Sequence, residues 1–133
     1  MDKRDVEADL EAVRAYSMDY YGEVLESYER LARYRPEVLV DWIKLRRTIF
    51  DAPDADGLDM RELELVSTAI EIIAHKGNPD RHAKLAIEAG ATVKQVADVV
   101  SLCILLGGMM TYIVSGQHAL KAAEKRAKEI GRI

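Results

Sequence analysis

Apolar residues recur at intervals of three and four along nearly the whole of this chain, and glycine or proline interrupts the pattern wherever it changes phase. Such a pattern commits a sequence to helices packed along one face and leaves little room for strands. The first run extends from about Asp5 to Tyr34. Val6, Leu10, Val13 and Tyr20 mark its face, and Ser17 stands in the place between the last two. Gly22 is expected to break or kink it, after which Val24, Leu25, Tyr28, Leu31 and Ala32 continue an apolar face. Pro36 suits the first turn of the next helix. Val38, Leu39, Trp42, Ile43 and Leu45 carry that helix to about Phe50. Asp51 to Gly57 read as a polar loop.

Start signals are strong in the second half. Asp59 and Glu62 have the spacing of a capping box, as do Thr92 and Gln95. Asn78 followed by Pro79 reads as an N-cap with proline in the first helical turn. Between these starts, a helix to about His75 has Leu63, Val66, Ile70 and Ile73 as its apolar positions, with Leu65, Ala69 and Ile72 beside them. A short helix from Pro79 ends at Gly90. The last helical pattern runs from Val93 nearly to the C-terminus, with a break expected at Gly107–Gly108. At 133 residues the chain fits a single domain, 1–133. Three prolines and one phenylalanine argue against a sandwich or barrel.

The formal net charge is −4 and no basic stripe is present, so nucleic acid is not an expected partner. No apolar leader opens the sequence, and a cytoplasmic location is the default expectation. The most apolar stretch, Val99 to Val114, is shorter than a bilayer span and is interrupted by Ser101, Gly107, Gly108 and Thr111. It reads as a buried core helix, and no membrane partner is expected. Cys103 is the only cysteine, so a single chain cannot run dithiol redox chemistry, and it reads as a buried, inert thiol.

His82 is the most informative polar residue. In the first turn of its helix, it shares a face with Leu85, Ala86 and Ala89. It therefore points to the interior or to a cleft, where a neutral imidazole can act as general base or hydrogen-bond donor. The plainer alternative is a core histidine satisfied by a backbone carbonyl. In the preceding helix Glu64, Thr68, Glu71 and His75 form a polar stripe, and the usual meaning of such a stripe is a solvated face. Glu71 fits that meaning least, since Ala69, Ile70, Ile72, Ile73 and Ala74 surround it. It is either functional or paired with His75 one turn later. His75, His82 and a glutamate are suitable metal ligands by type, but their spacing matches no recognised metal motif, and no metal or other cofactor is expected.

The segment LDMRELELVSTAIEIIAHKGNPDRHAKLAIEAGATVKQVADVVSLCILLGG resembles the carboxymuconolactone decarboxylase family, which includes the alkylhydroperoxidase-D-like proteins. Glu64–Leu65, His82, Gly90–Ala91–Thr92 and Gly107–Gly108 carry the resemblance. The upstream RPEVLVDWIKLRRTIF is similar to the family's preceding helix. The resemblance implies an all-α fold, a compact bundle of about six to seven helices, assembled as a homotrimer or homohexamer. In the peroxidase branch a Cys-x-x-Cys pair stands seven and four places before the histidine; here those places hold His75 and Asn78. The family's relay glutamate falls on Glu64, one residue short of the family spacing to His82, with Glu71 as the alternative.

Peroxiredoxin-type activity is therefore disfavoured. The decarboxylase branch keeps the histidine and lacks the thiol pair. It implies cofactor-free acid/base chemistry on a small carboxylated, lactone-like metabolite, with His82 as acid/base and Glu64, Glu71 and His75 as candidate companions. The N-terminus of the His82 helix, Arg81, and Arg46 or Arg47 are candidate anion-binding groups. A non-catalytic binding or assembly role is the alternative.

Overall fold

The computed structural model describes residues 3–51 and 54–133, so Ala52 and Pro53 of the expected polar loop lie outside the described residues. Every regular element among the described residues is helical, as the periodicity requires. The chain divides into two compact units, Met1–Ala52 and Pro53–Ile133.

The N-terminal unit holds α1 (Lys3–Tyr21), α2 (Glu26–Ala32) and α3 (Pro36–Phe50). Gly22 ends α1 at a φ of 76°, a left-handed conformation that suits glycine. Ser17 is fully buried, and its hydroxyl donates to the Glu23 carbonyl at 2.7 Å. That bond closes the turn after α1 and explains a polar residue on an apolar face. Leu10, Val13, Tyr16, Leu39, Val40 and Ile43 form the core between α1 and α3. Arg46 is buried beside it, with its guanidinium 4.4 Å from the Tyr20 ring centre and 4.5 Å from that of Phe50. The planar cation is accommodated there by stacking on aromatic faces.

The C-terminal unit contains α4 (Met60–Ala74), α5 (Pro79–Glu88), α6 (Val93–Gly107), the short α7 (Met109–Thr111), a π-helical turn (Tyr112–Gly116) and α8 (Gln117–Glu129). Each expected start signal is realised. The Glu62 N–H donates to Asp59 Oδ1 at 2.8 Å, and the Asp59 N–H donates to Glu62 Oε2 at 3.1 Å. Thr92 and Gln95 repeat the arrangement on α6. The Asn78 side chain accepts from the Arg81 N–H at 3.2 Å, with Pro79 in the first turn. Each cap satisfies backbone donors that would otherwise be orphaned at a helix start.

The core of this unit is built from small residues. Ala83, Ala86, Ala91, Ala119, Ala123 and Ala127 pack with Ile72, Ile87, Val96, Val100 and Cys103. The alanines at 119, 123 and 127 form one stripe of α8 and let α8 lie close to its neighbours. The π turn was not expected from the sequence. In it the Gln117 N–H reaches back to the Tyr112 carbonyl, five residues earlier. Gly116 at its end is buried against Val100, where a Cβ would come within 3.1 Å of Val100 Cγ1.

Two expectations are reversed. The polar stripe of α4 faces inward: Glu64 and Thr68 are buried, while Val66, Ile70 and Ile73 are exposed, Ile70 to 62%. The apolar stretch 99–114 is only partly a core segment. Val100 and Cys103 are buried, but Leu102, Leu105, Leu106, Met109, Met110, Ile113 and Val114 are exposed, Leu105 to 78%. Apolarity alone does not tell a face that packs inside the protomer from one left open on its surface. Among the described residues no helix is long and apolar enough to cross a membrane.

Candidate functional site

The capping box at Asp59 fixes where α4 begins, and from there the four-and-three spacing puts Glu64, Thr68 and Glu71 on the stripe that meets α5. The Asn78–Pro79 start places His82 in the first turn of α5, facing that stripe. His82 Nδ1 lies 2.6 Å from Glu64 Oε2, and His82 Nε2 lies 3.3 Å from Glu71 Oε1. Both ring nitrogens thus face carboxylates. The core-histidine alternative, a ring satisfied by a backbone carbonyl, is not what the structure has.

Proton counting follows from this geometry. A neutral imidazole offers one donor and one acceptor, and an ionised carboxylate only accepts. To bond on both sides, the three groups must hold two protons among them. Either the ring is an imidazolium between two carboxylates, or it is neutral beside one carboxylic acid. A ring proton at Nε2 beside Glu71 is what acid/base work at this position requires.

Exposure is graded along the row. The Glu64 side chain is 1% exposed, that of His82 13% and that of Glu71 25%. Glu64 is the inner anchor, and a buried carboxylate needs a partner of this kind. Thr68 is equally buried, but its hydroxyl donates back to the Glu64 carbonyl at 2.8 Å rather than to the carboxylate. Glu71 stands at the outer end. Its Oε2 accepts the Asn78 backbone N–H at 2.8 Å. Gly77, at a φ of 70°, lies so close beneath it that a Cβ there would collide with the Glu71 carboxyl group.

Asn78 was legible as a helix cap; its own N–H as a partner for Glu71, and Gly77 as the floor under that carboxylate, were not. The Lys76–Gly77–Asn78–Pro79 cluster signals a turn, but not which side chain lies on it.

His75 is placed apart from this row. It caps α4 in the left-handed conformation, at a φ of 52°, and is exposed. Of the two alternatives for Glu71, a place in a site or pairing with His75, its contacts are those with Asn78 and His82. Arg46 and Arg47 belong to the N-terminal unit, where Arg47 lies over the Tyr16 ring at 4.9 Å. The Arg81 backbone N–H serves the Asn78 cap. Among the described residues no group of three or more His, Cys, Asp or Glu side chains is arranged to hold a metal ion.

Cys103 is buried in the core of the C-terminal unit, with its Sγ 3.7 Å from the Ala69 carbonyl. Burial pushes its thiol pKa up, and a protonated, buried thiol is a poor nucleophile. A thiol reagent at neutral pH should label Cys103 slowly in the folded protein and rapidly in denaturant; equal rates would contradict this placement.

Comparison with known proteins adds three findings. Residues 36–125 match the model of the carboxymuconolactone decarboxylase family. The fold is similar to a crystal structure from Burkholderia xenovorans LB400 described as a candidate carboxymuconolactone decarboxylase. The TM-score is 0.81 at 23% identity, over 95% of this chain and 96% of that one. No curated protein matches the sequence.

Proposed function

Taking as premise that the chain belongs to the carboxymuconolactone decarboxylase family, we propose that it is a cofactor-free acid/base enzyme of the lyase type, acting on a small carboxylated, lactone-like metabolite. The observation that carries this reading is His82 held between two carboxylates, one buried and one at the outer end of the row. In the reaction, the bond from the ring carbon to the carboxylate breaks and carbon dioxide leaves. The electron pair moves into the conjugated lactone carbonyl, and a proton from His82 Nε2 is delivered to carbon as that charge returns. Glu64 is the positioning group: it holds Nδ1 and offsets positive charge on the ring. Peroxidase chemistry through a dithiol is disfavoured by the single, buried cysteine.

A direct test is decarboxylation of a panel of carboxylated lactones, carboxymuconolactone among them, by wild type and by His82→Ala. Turnover by wild type alone is the expected result. Absence of turnover across the panel would sink the assignment and favour a non-catalytic role; equal turnover by both proteins would remove His82 from the mechanism.

We further propose that the protein works as an assembly of its own copies, a trimer or hexamer. The outward apolar face of α4, with Val66, Ile70 and Ile73, supports this, as do the exposed leucines and methionines from Leu102 to Met110. Contiguous apolar surface of this kind normally marks an interaction face.

A further inference from the structure

A substrate with a carboxylate needs a seat for it, and in this site the obvious position is already occupied. Glu71 reaches over the loop after α4 and places one oxygen on the Asn78 N–H at 2.8 Å and the other 3.3 Å from His82 Nε2. The absence of a side chain on Gly77 lets the carboxyl group lie directly against the loop backbone. Glu71 is also the most exposed of the three side chains.

We propose that Glu71 is a built-in stand-in for the substrate carboxylate, and that the substrate binds by displacing it from Asn78 and His82. The inference rests on the acid/base reading above and adds where the anion sits and what guards it. With Glu64 accepting at Nδ1, a ring that carries both protons presents Nε2–H outward. Together with the Asn78 N–H it gives two donors, directed at the two oxygens of one carboxylate. A second carboxylate cannot share that position while the Glu71 carboxyl group fills both contacts. The seat is therefore open only while Glu71 is turned away, and the apparent affinity for a carboxylate is reduced by that fraction of time. The ligand class is a small carboxylate, and Glu71 excludes weak binders from Nε2 of His82.

The test uses acetate as the probe and the His82 ring nitrogen and carbon-bound proton signals, read by NMR, as the report. Asn78 is exposed, so water can take its N–H in Glu71→Ala, and circular dichroism should show an unchanged fold. Acetate should shift the His82 Nε2 signal saturably in Glu71→Ala, with affinity raised about tenfold or more over wild type. Sodium chloride at the same ionic strength should not reproduce the shift. Glu71→Gln keeps an acceptor for Asn78 and still fills the seat, so it should bind acetate more weakly than Glu71→Ala. Equal affinity in wild type and Glu71→Ala, or no response of Nε2, would overturn the proposal. So would binding in Glu71→Gln as tight as in Glu71→Ala, because charge rather than occupancy would then close the seat. Turnover is not part of the readout. Acetate bound at His82 in a chain that decarboxylates nothing sinks only the acid/base reading; decarboxylation without acetate binding controlled by Glu71 sinks only this one.

Discussion

His82→Ala should cost the protein about 3 kcal/mol of stability as well as about 100-fold or more of its turnover. The stability loss is a consequence of Glu64. Its carboxylate is 1% exposed and rests against Nδ1 at 2.6 Å, and without the ring it is left buried with that contact gone. Such a group must either stay charged without its partner or take up a proton, and both cost free energy. The partly exposed imidazole moderates the effect, since water can enter where it stood. A second substitution separates the two losses. Adding Glu64→Gln to His82→Ala removes the stranded charge, so the double variant should be more stable than His82→Ala alone, with no return of activity. Urea denaturation of the three proteins measures this. A His82→Ala protein as stable as wild type would show that the ring does not balance Glu64.

Changing both Leu105 and Leu106 to Asp should convert the proposed assembly to single chains without disturbing the protomer. Both residues are largely exposed, so the protomer core does not depend on them. If a partner copy covers them, each contributes about 1.5–3 kcal/mol through burial. Losing both and burying two charges instead would weaken association by about 100-fold or more. Light scattering reads the outcome: an assembled wild type, a monomeric double variant, and unchanged circular dichroism for both. A wild type that is already monomeric, or a variant of unchanged mass, would contradict the assignment of this face.

The two expected losses depend on features that differ in how far the sequence shows them. Helix starts were legible because they are local. Asp59 with Glu62, Asn78 with Pro79, and Thr92 with Gln95 each satisfy backbone donors within one turn, so three or four residues contain the whole signal. The breaks at Gly22 and Gly108 were legible for the same reason, since both residues adopt positive φ. The inward face of α4 was not. Glu64, Thr68 and Glu71 have the spacing of a solvated stripe, and the arrival of His82 from α5 gives the buried Glu64 a partner. That pairing spans eighteen residues of sequence and leaves no local trace. The exposure of Ile70 and Leu105 is obscure for a related reason: apolar periodicity records that a face avoids water, not which surface covers it. Likewise, the turn at Lys76–Asn78 was readable, while the Glu71 carboxylate lying on it depended on a contact made from the preceding helix.

The π turn at Tyr112–Gly116 bears on how this chain tolerates change. Such a turn holds one residue more than α geometry needs, and each residue of a helix advances its phase by about 100°. Deleting a single residue between Tyr112 and Gly116 would let the segment relax to an ordinary helix with α8 close to its present phase, whereas inserting one would rotate everything after it. After such an insertion Ala119, Ala123 and Ala127 would leave the interior, and the bulkier side chains beside them would turn toward Ala83 and Ala86. Substitutions in the segment alter contacts one at a time, whereas an added residue resets the phase of the whole of α8. An insertion there should be tolerated far less than a single deletion or a point change, although the segment sits among exposed residues such as Ile113 and Val114.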